Sequence, residues 1–422
     1  MFKISLSQVE HGMFFLLGLF TSMAILQVPL GFMTITPFNF MMYLLVVFEI
    51  LYRNIKISQP NSYIYIGYLL CSTISSVYNY FLLPSSWGMA NFTSLFNSFV
   101  LGYFLVFLGK DVAQLVKNDF LAGVKVNAWI QLVWGGLQYV LYKATGASLN
   151  QIAFENLLHI QSSYIQSNVY MGVNRLTGLN WEPAYFGLTL IVGYALSNRL
   201  WQKGLFVIGV AIVGSRTSLI ALLIVILVEL LYTFFSRKKV FKKRINQDGV
   251  VGIILLVLFA TVIVANWNSL FIGINSTLSR FQDMTTDPSS KVHAMYYQQL
   301  GDLLFYKYGL FRCMFGIGPA SSGYAYTLYY GLYEYFSSNP WNIENGVAQL
   351  FVSSGIIGAL CALLWFLVNL YINRDRKDAF ALITGILIGG ITYSYFVNWV
   401  WMITFFLSLP NQKTDFKEKG TM

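Results

Sequence analysis

Asn339-Pro340-Trp341-Asn342-Ile343-Glu344-Asn345-Gly346 leads without a break into an apolar stretch that continues to Ile372. These eight residues close a polar, aromatic-rich segment, 266–345, and nowhere else does the chain stay out of apolar sequence for so long. On both sides of that segment, apolar runs follow one another at short intervals. Crossing a bilayer takes roughly 20 apolar residues per helix. The alternation therefore predicts an all-α, polytopic integral membrane protein with one long loop.

Composition agrees. Of 422 residues, 56% are hydrophobic and 10% charged, whereas soluble domains carry roughly 25% charged residues; the mean hydropathy is +0.60. One integral membrane domain, 1–422, is expected, with no separate soluble domain. Lys3 and the apolar run Met13 to Val28 look like a signal peptide, but no small-x-small cleavage site follows, so a retained first span is expected. Cys71 and Cys361 lie in apolar runs and Cys313 in the polar segment, which leaves no pair for a framework disulfide. The net charge of +10 fits an excess of Lys and Arg on cytoplasmic loops and does not call for nucleic acid.

The apolar runs lie near 12–30, 36–52, 63–83, 92–109, 124–142, 183–198, 199–214, 217–235, 249–266, 346–372, 379–393 and 395–410, about twelve spans. Basic clusters follow the even-numbered ones: Arg53 with Lys56, Lys110 with Lys117, Arg199 with Lys203, the run Arg237 to Arg244, Arg374 with Lys377, and the tail lysines. By the positive-inside rule both termini and these loops are cytoplasmic. Segment 143–180 and the long segment 266–345, between spans nine and ten, then lie outside.

Seven of the 27 Lys and Arg fall outside against that bias: Lys143, Arg175, Arg216, Arg280, Lys291, Lys307 and Arg312. Charge retained there has another reason to exist. About sixteen residues separate Arg199 from Arg216, roughly 24 Å of helix, which places Arg216 just below the outer surface; a snorkelling interfacial Arg is the competing reading. Outer cations suit an anionic ligand, and Arg grips phosphate bidentately.

Within the long segment, apolar residues at 292, 295, 296, 300, 303 and 304 follow a helical period, with Ser289 or Ser290 as N-cap. They predict an amphipathic helix along the outer membrane boundary. Eight of the eighteen residues from Tyr324 to Trp341 are aromatic. An interfacial belt accounts for them, and so does a surface that binds the flat faces of sugars, with Tyr324 and Trp341 as candidates.

Glu182 precedes Pro183 at the mouth of a span, where a helix cap and a catalytic carboxylate are both admissible. Glu344 occupies the same kind of position, and withdrawal from water raises the proton affinity a carboxylate needs as a general base. The outer acidic residues form no close pair, and His159 and His293 have no partner at ligand spacing, so neither metal nor other cofactor is expected.

Asn174-Arg175-Leu176-Thr177-Gly178-Leu179-Asn180-Trp181-Glu182-Pro183, then Gly214-Ser215-Arg216-Thr217, Arg280, Gly316-Ile317-Gly318-Pro319, and Glu344-Asn345 with Gly355 and Gly358 resemble, in that order, the O-antigen polymerase family of the polymerase and ligase superfamily. The resemblance spans about 170–360 and implies an inner-membrane glycosyltransferase working on its periplasmic face without metal. Its substrates would be undecaprenyl-pyrophosphate-linked glycans, and a chain-length regulator a possible partner. Carried over by resemblance, Arg175, Arg216 and Arg280 hold pyrophosphate; from the residues themselves Glu344 is the candidate base, and Lys291 and Asn345 are candidate substrate-binding residues. Ligases have His-Asn where this chain has Glu344-Asn345. A ligase acting on lipid A core is one alternative, and a twelve-span flippase for the same lipid-linked sugars is the other; two matched six-span halves would favour the flippase.

Overall fold

The computed structural model describes residues 6–30, 33–52, 62–158, 169–170, 173–174, 176–236, 288–332 and 341–410. Helices account for nearly all the regular structure: α1 (Leu6–Leu19), α2 (Pro37–Tyr52), α3 (Ser62–Asn79), α4 (Ser85–Gly102), α5 (Lys110–Thr145), α6 (Pro183–Ala195), α7 (Leu200–Val213) and α8 (Arg216–Ser236). After 237–287, outside the described residues, come α9 (Pro288–Asp302), α10 (Leu310–Phe315), α11 (Ser322–Tyr330), α12 (Gly346–Ile372), α13 (Lys377–Thr392) and α14 (Asn398–Ser408). Two very short hairpins, Val28–Leu30 with Met33–Ile35 and Val169–Tyr170 with Val173–Asn174, are the extended pairs described.

Among the described residues three helical stretches are long and apolar enough to cross a membrane: Ser85–Phe107, Arg216–Phe234 and Gly346–Ile372. That is fewer than the twelve expected; α2, α6, α7 and α14 are apolar but shorter, and the expected span 249–266 lies outside the described residues. The outward faces are nonetheless apolar. On α5, Val126, Ile130, Val133, Leu137 and Val140 recur at helical spacing and are all exposed, as are Leu223, Leu227, Leu230 and Phe234 on α8. A soluble helix shows the opposite pattern, polar outward. The fold is all-α, and its apolar helices are compatible with a membrane protein.

The expected first apolar run, 12–30, is not one continuous helix. Helix α1 ends at Leu19, and Ser22 takes a left-handed φ of 60°. The following turn is held by other parts of the fold: Asn127 Nδ2 donates to Ser22 Oγ at 3.1 Å, Gln131 Nε2 does so at 2.9 Å, and Ile25 N donates to Leu179 O at 3.0 Å. Apolar content continues past Leu19, but these buried amides specify a turn. Helix α1 packs on α5 through glycine: a Cβ on Gly18 would stand 2.1 Å from Phe120 O, and one on Gly123 equally close to Phe15 O. Such close backbone approach is the small-residue mode of apolar helix pairing.

Helix α6 is buried along nearly its whole length, between α5, α7 and α8, while α12 lies along α3 and α13 along α8. Helix α12 is broken. Gly355 has φ 66° and ψ −174°, and the loop Gly316-Ile317-Gly318 fills the break, Ile317 N donating to Val352 O (3.1 Å) and Gly318 N to Ser353 O (2.8 Å). The loop thus satisfies carbonyls that the break frees, as buried irregular backbone requires.

Candidate active site

The first turns of α6, α8 and α12, the α13–α14 connection and the middle of α9 converge at one end of the bundle. The amphipathic helix predicted from its periodicity is α9, although it starts at Pro288, which puts Ser289 and Ser290 inside the first turn instead of at the cap. Tyr296 is buried and Lys291 exposed, as the pattern requires. His293 points into the site.

There His293 Nε2 stands 3.2 Å from Glu344 Oε2. Its Nδ1 bonds Asn345 Oδ1, and Asn345 Nδ2 donates to the His293 carbonyl at 2.9 Å. Because the Asn345 amide donates through Nδ2, its Oδ1 is the acceptor for Nδ1–H; the Glu344 carboxylate is the acceptor for Nε2–H. These two acceptors together favour the doubly protonated ring. Burial opposes that charge, but the hydrogen bonds to Glu344 and Asn345 and the Glu344 charge outweigh burial and the opposing Arg216 charge, so the His293 pKa is raised.

Asn345, not Glu344, is the N-cap residue of α12, and its side chain makes no capping bond because it is committed to His293. The Glu344 side chain is 50% exposed, against 23% for His293. The expected withdrawal of Glu344 from water is thus corrected: its side chain is half exposed, with one oxygen against His293. Glu182 is the N-cap residue of α6, with Pro183 following, and its side chain makes no capping bond either. Tyr185, in the first turn of α6, is near enough to both Glu182 and Glu344 to feel their charges.

Arg216 opens α8 two residues after the left-handed Gly214, close enough for its charge to bear on His293. Ser218, two residues on, donates to Ala184 O at 3.2 Å and lies 3.3 Å from Tyr395 Oη, locking the starts of α6 and α8 and the α13–α14 connection together. Glu344, Asn345, Arg216 and Glu182 are thus gathered. Arg175 and Arg280 lie outside the described residues. Lys291 is two residues from His293 on an exposed face.

Tyr324 and Trp341 are placed differently from expectation. Both belong to a second apolar core with Trp87, Tyr326 and Ile343; Tyr324 packs 5.5 Å from the Trp87 ring, and Trp341 covers Gly323 so closely that a Cβ there would meet it at 2.4 Å. They are packing residues more than an open sugar platform. Arg312 is likewise structural, donating to Asn79 Oδ1 (2.9 Å) and Tyr329 Oη (2.8 Å). The sequence offers His293 no partner at ligand spacing. Its only signal was a position beside, not on, the apolar stripe of α9.

The geometry defines an all-helical protein with apolar outward faces and, at one end, a carboxylate–histidine pair near an arginine. No protein-family model matches the chain, and no curated protein matches it. What these residues do must be inferred from their chemistry.

Proposed function

We propose that the protein is a metal-independent membrane glycosyltransferase that polymerises undecaprenyl-pyrophosphate-linked oligosaccharide units, as an O-antigen polymerase does. In this reading it crosses the inner membrane about twelve times, keeps both termini in the cytoplasm, and works on the periplasmic face, with a chain-length regulator as a possible partner. The observation that carries the reading is the meeting of Glu344, His293 and Arg216 at the helix mouths.

A hydroxyl of the acceptor sugar attacks the anomeric carbon of the donor glycan. The new C–O bond forms as the bond to pyrophosphate breaks, and pyrophosphate departs with the electron pair. The hydroxyl proton passes to the free oxygen of Glu344, whose other oxygen is oriented by His293. Arg216 and a protonated His293 would stabilise the negative charge that grows on the leaving group, the electrostatic term that usually matters most. Arg175 and Arg280 would complete the anion grip.

The transporter alternative draws support from the break of α12 at Gly355, since discontinuous helices border transported substrates. Deleting the gene and resolving surface polysaccharide by gel separates the cases. A lost polymerase leaves single units on lipid A core; a lost flippase or ligase leaves no attached unit, and that result would overturn the polymerase reading.

A further inference from the structure

Between α3, α4, α12 and α14, against the Gly316–Pro319 loop, lies a cavity of about 100 Å³. At roughly 10–15 Å³ of such space per water, it takes several waters or one sugar ring, not a chain. Its polar lining is neutral: Ser94 and Ser98 from α4, Ser353 from α12 and Asn398 from α14 contribute, and no charged residue is among the described residues that line it. Hydroxyls and amides of this kind both donate and accept, which suits a ligand whose own hydroxyls do the same. A charged ligand would be desolvated there without compensation.

Two further observations point to a sugar. Tyr68 and Trp401, stacked with ring centroids 5.5 Å apart, both line the cavity and supply the flat apolar surface that sugar rings pack on. Ser353, buried to within 8% of full enclosure, has a hydroxyl with no hydrogen-bond partner among the described residues. Ser353 lies two residues before the break at Gly355, and it lines the cavity. Buried hydroxyls are normally satisfied, so this one calls for a partner that arrives with a ligand or water.

The cavity adjoins the candidate active site. Asn342 and Gly346, two residues to either side of Glu344, both line it. We infer that it is a subsite for a single uncharged sugar ring of the glycan, so that the repeat unit handled here presents a neutral sugar, not a uronic or sialic acid, next to the reacting bond. This rests on the glycan reading above.

The test uses the purified full-length protein in nanodiscs and saturation-transfer NMR with methyl glucoside, methyl galactoside, methyl N-acetylgalactosaminide and methyl glucuronide. At least one neutral glycoside should bind saturably, and the glucuronide at least tenfold more weakly. Ser353→Leu and Ser98→Leu each fill the cavity, and whichever variant retains the wild-type melting profile should lose binding tenfold or more. Failure of every neutral glycoside to bind, a glucuronide that binds as well as the best of them, or unaltered binding in a folded cavity variant would each overturn the subsite. Arg216→Ala separates this inference from the proposed activity, since it should bind the glycoside like wild type while making no polymer. Persistent polymer in that variant counts against the pyrophosphate role, and absent glycoside binding in the wild type counts against the cavity.

Discussion

The carboxylate of Glu344 and the imidazole of His293 meet at 3.2 Å, although one precedes the N-cap of α12 and the other sits on a separate amphipathic helix. Asn345 completes the arrangement by bonding the second ring nitrogen and, through its amide nitrogen, the backbone of the same histidine. Helix α9 is thereby fixed over the mouth of α12. One carboxylate oxygen remains available on a half-exposed side chain.

This pair should make stability depend on pH. Because the His293 pKa is raised in the folded protein, its contribution is fully present below the unfolded histidine value, about 6.5, and is lost as pH rises through the folded value. The melting-temperature advantage of wild type over His293→Gln should be largest in acid and shrink above neutrality. A difference that stays constant from pH 5 to 9 would show that His293 is not charged in the folded state.

Arg216 should be indispensable. Arg216→Ala should abolish polymer at unchanged protein level, and Arg216→Lys should restore little, because an ammonium cannot reproduce the bidentate fork of a guanidinium. Normal polymer in the Lys variant would require abandoning a specific grip on phosphate.

Much of this arrangement is legible in the sequence because it is local. Glu182-Pro183 marks the start of α6, Gly214 the end of α7, and the stripe from Val292 to Leu304 marks α9. Other features are set by distant partners. The turn after Leu19 looks like continuing span until Asn127 and Gln131 are seen bonding Ser22. A single Gly355 in an apolar run gives no sign of a break, since the loop that fills it comes from Gly316 to Gly318. His293 finds Glu344 only through tertiary packing.

The membrane orientation can be checked at two exposed sites. With the native cysteines removed, Cys at Lys307 should react with an impermeant thiol reagent added outside whole cells, and Cys at Asp375, whose side chain is 87% exposed, should react only after permeabilisation. Reversed labelling would turn the map over and move the candidate site to the cytoplasm.

Gly355 and Gly316 should be coupled. Each has a left-handed φ, a Cβ on Gly355 would lie 2.3 Å from the Met314 carbonyl, and one on Gly316 would lie 2.4 Å from that of Ser353. Either Gly→Ala change should cost at least about 2 kcal/mol, as backbone incompatibility does. The double variant should cost clearly less than the sum, because one displacement of the loop relieves both clashes. Additive losses in melting experiments would mean that the loop and the break are independent.

Glu344 provides the sharpest test of the chemistry. Glu344→Gln keeps the size and one hydrogen bond to His293 but removes proton acceptance, and loss of a general base typically costs about 10²- to 10⁴-fold in rate. Polymer should nearly vanish while the protein stays folded. A capping role makes a different forecast, but the N-cap position belongs to Asn345, so Gln should leave α12 intact on either account. Glu344→Asp restores the charge and withdraws it by one methylene, roughly 1.5 Å. A base held against one hydroxyl should suffer from that retreat, since small misplacements of catalytic groups are costly. A carboxylate needed only to pair with His293 has no reacting atom to reach and should tolerate the change better. The expected order of polymer yield is therefore wild type, then Asp well below it, then Gln near zero. Near-normal polymer in the Gln variant would exclude Glu344 as the base and leave Glu182, across Tyr185 from it, as the carboxylate to examine next.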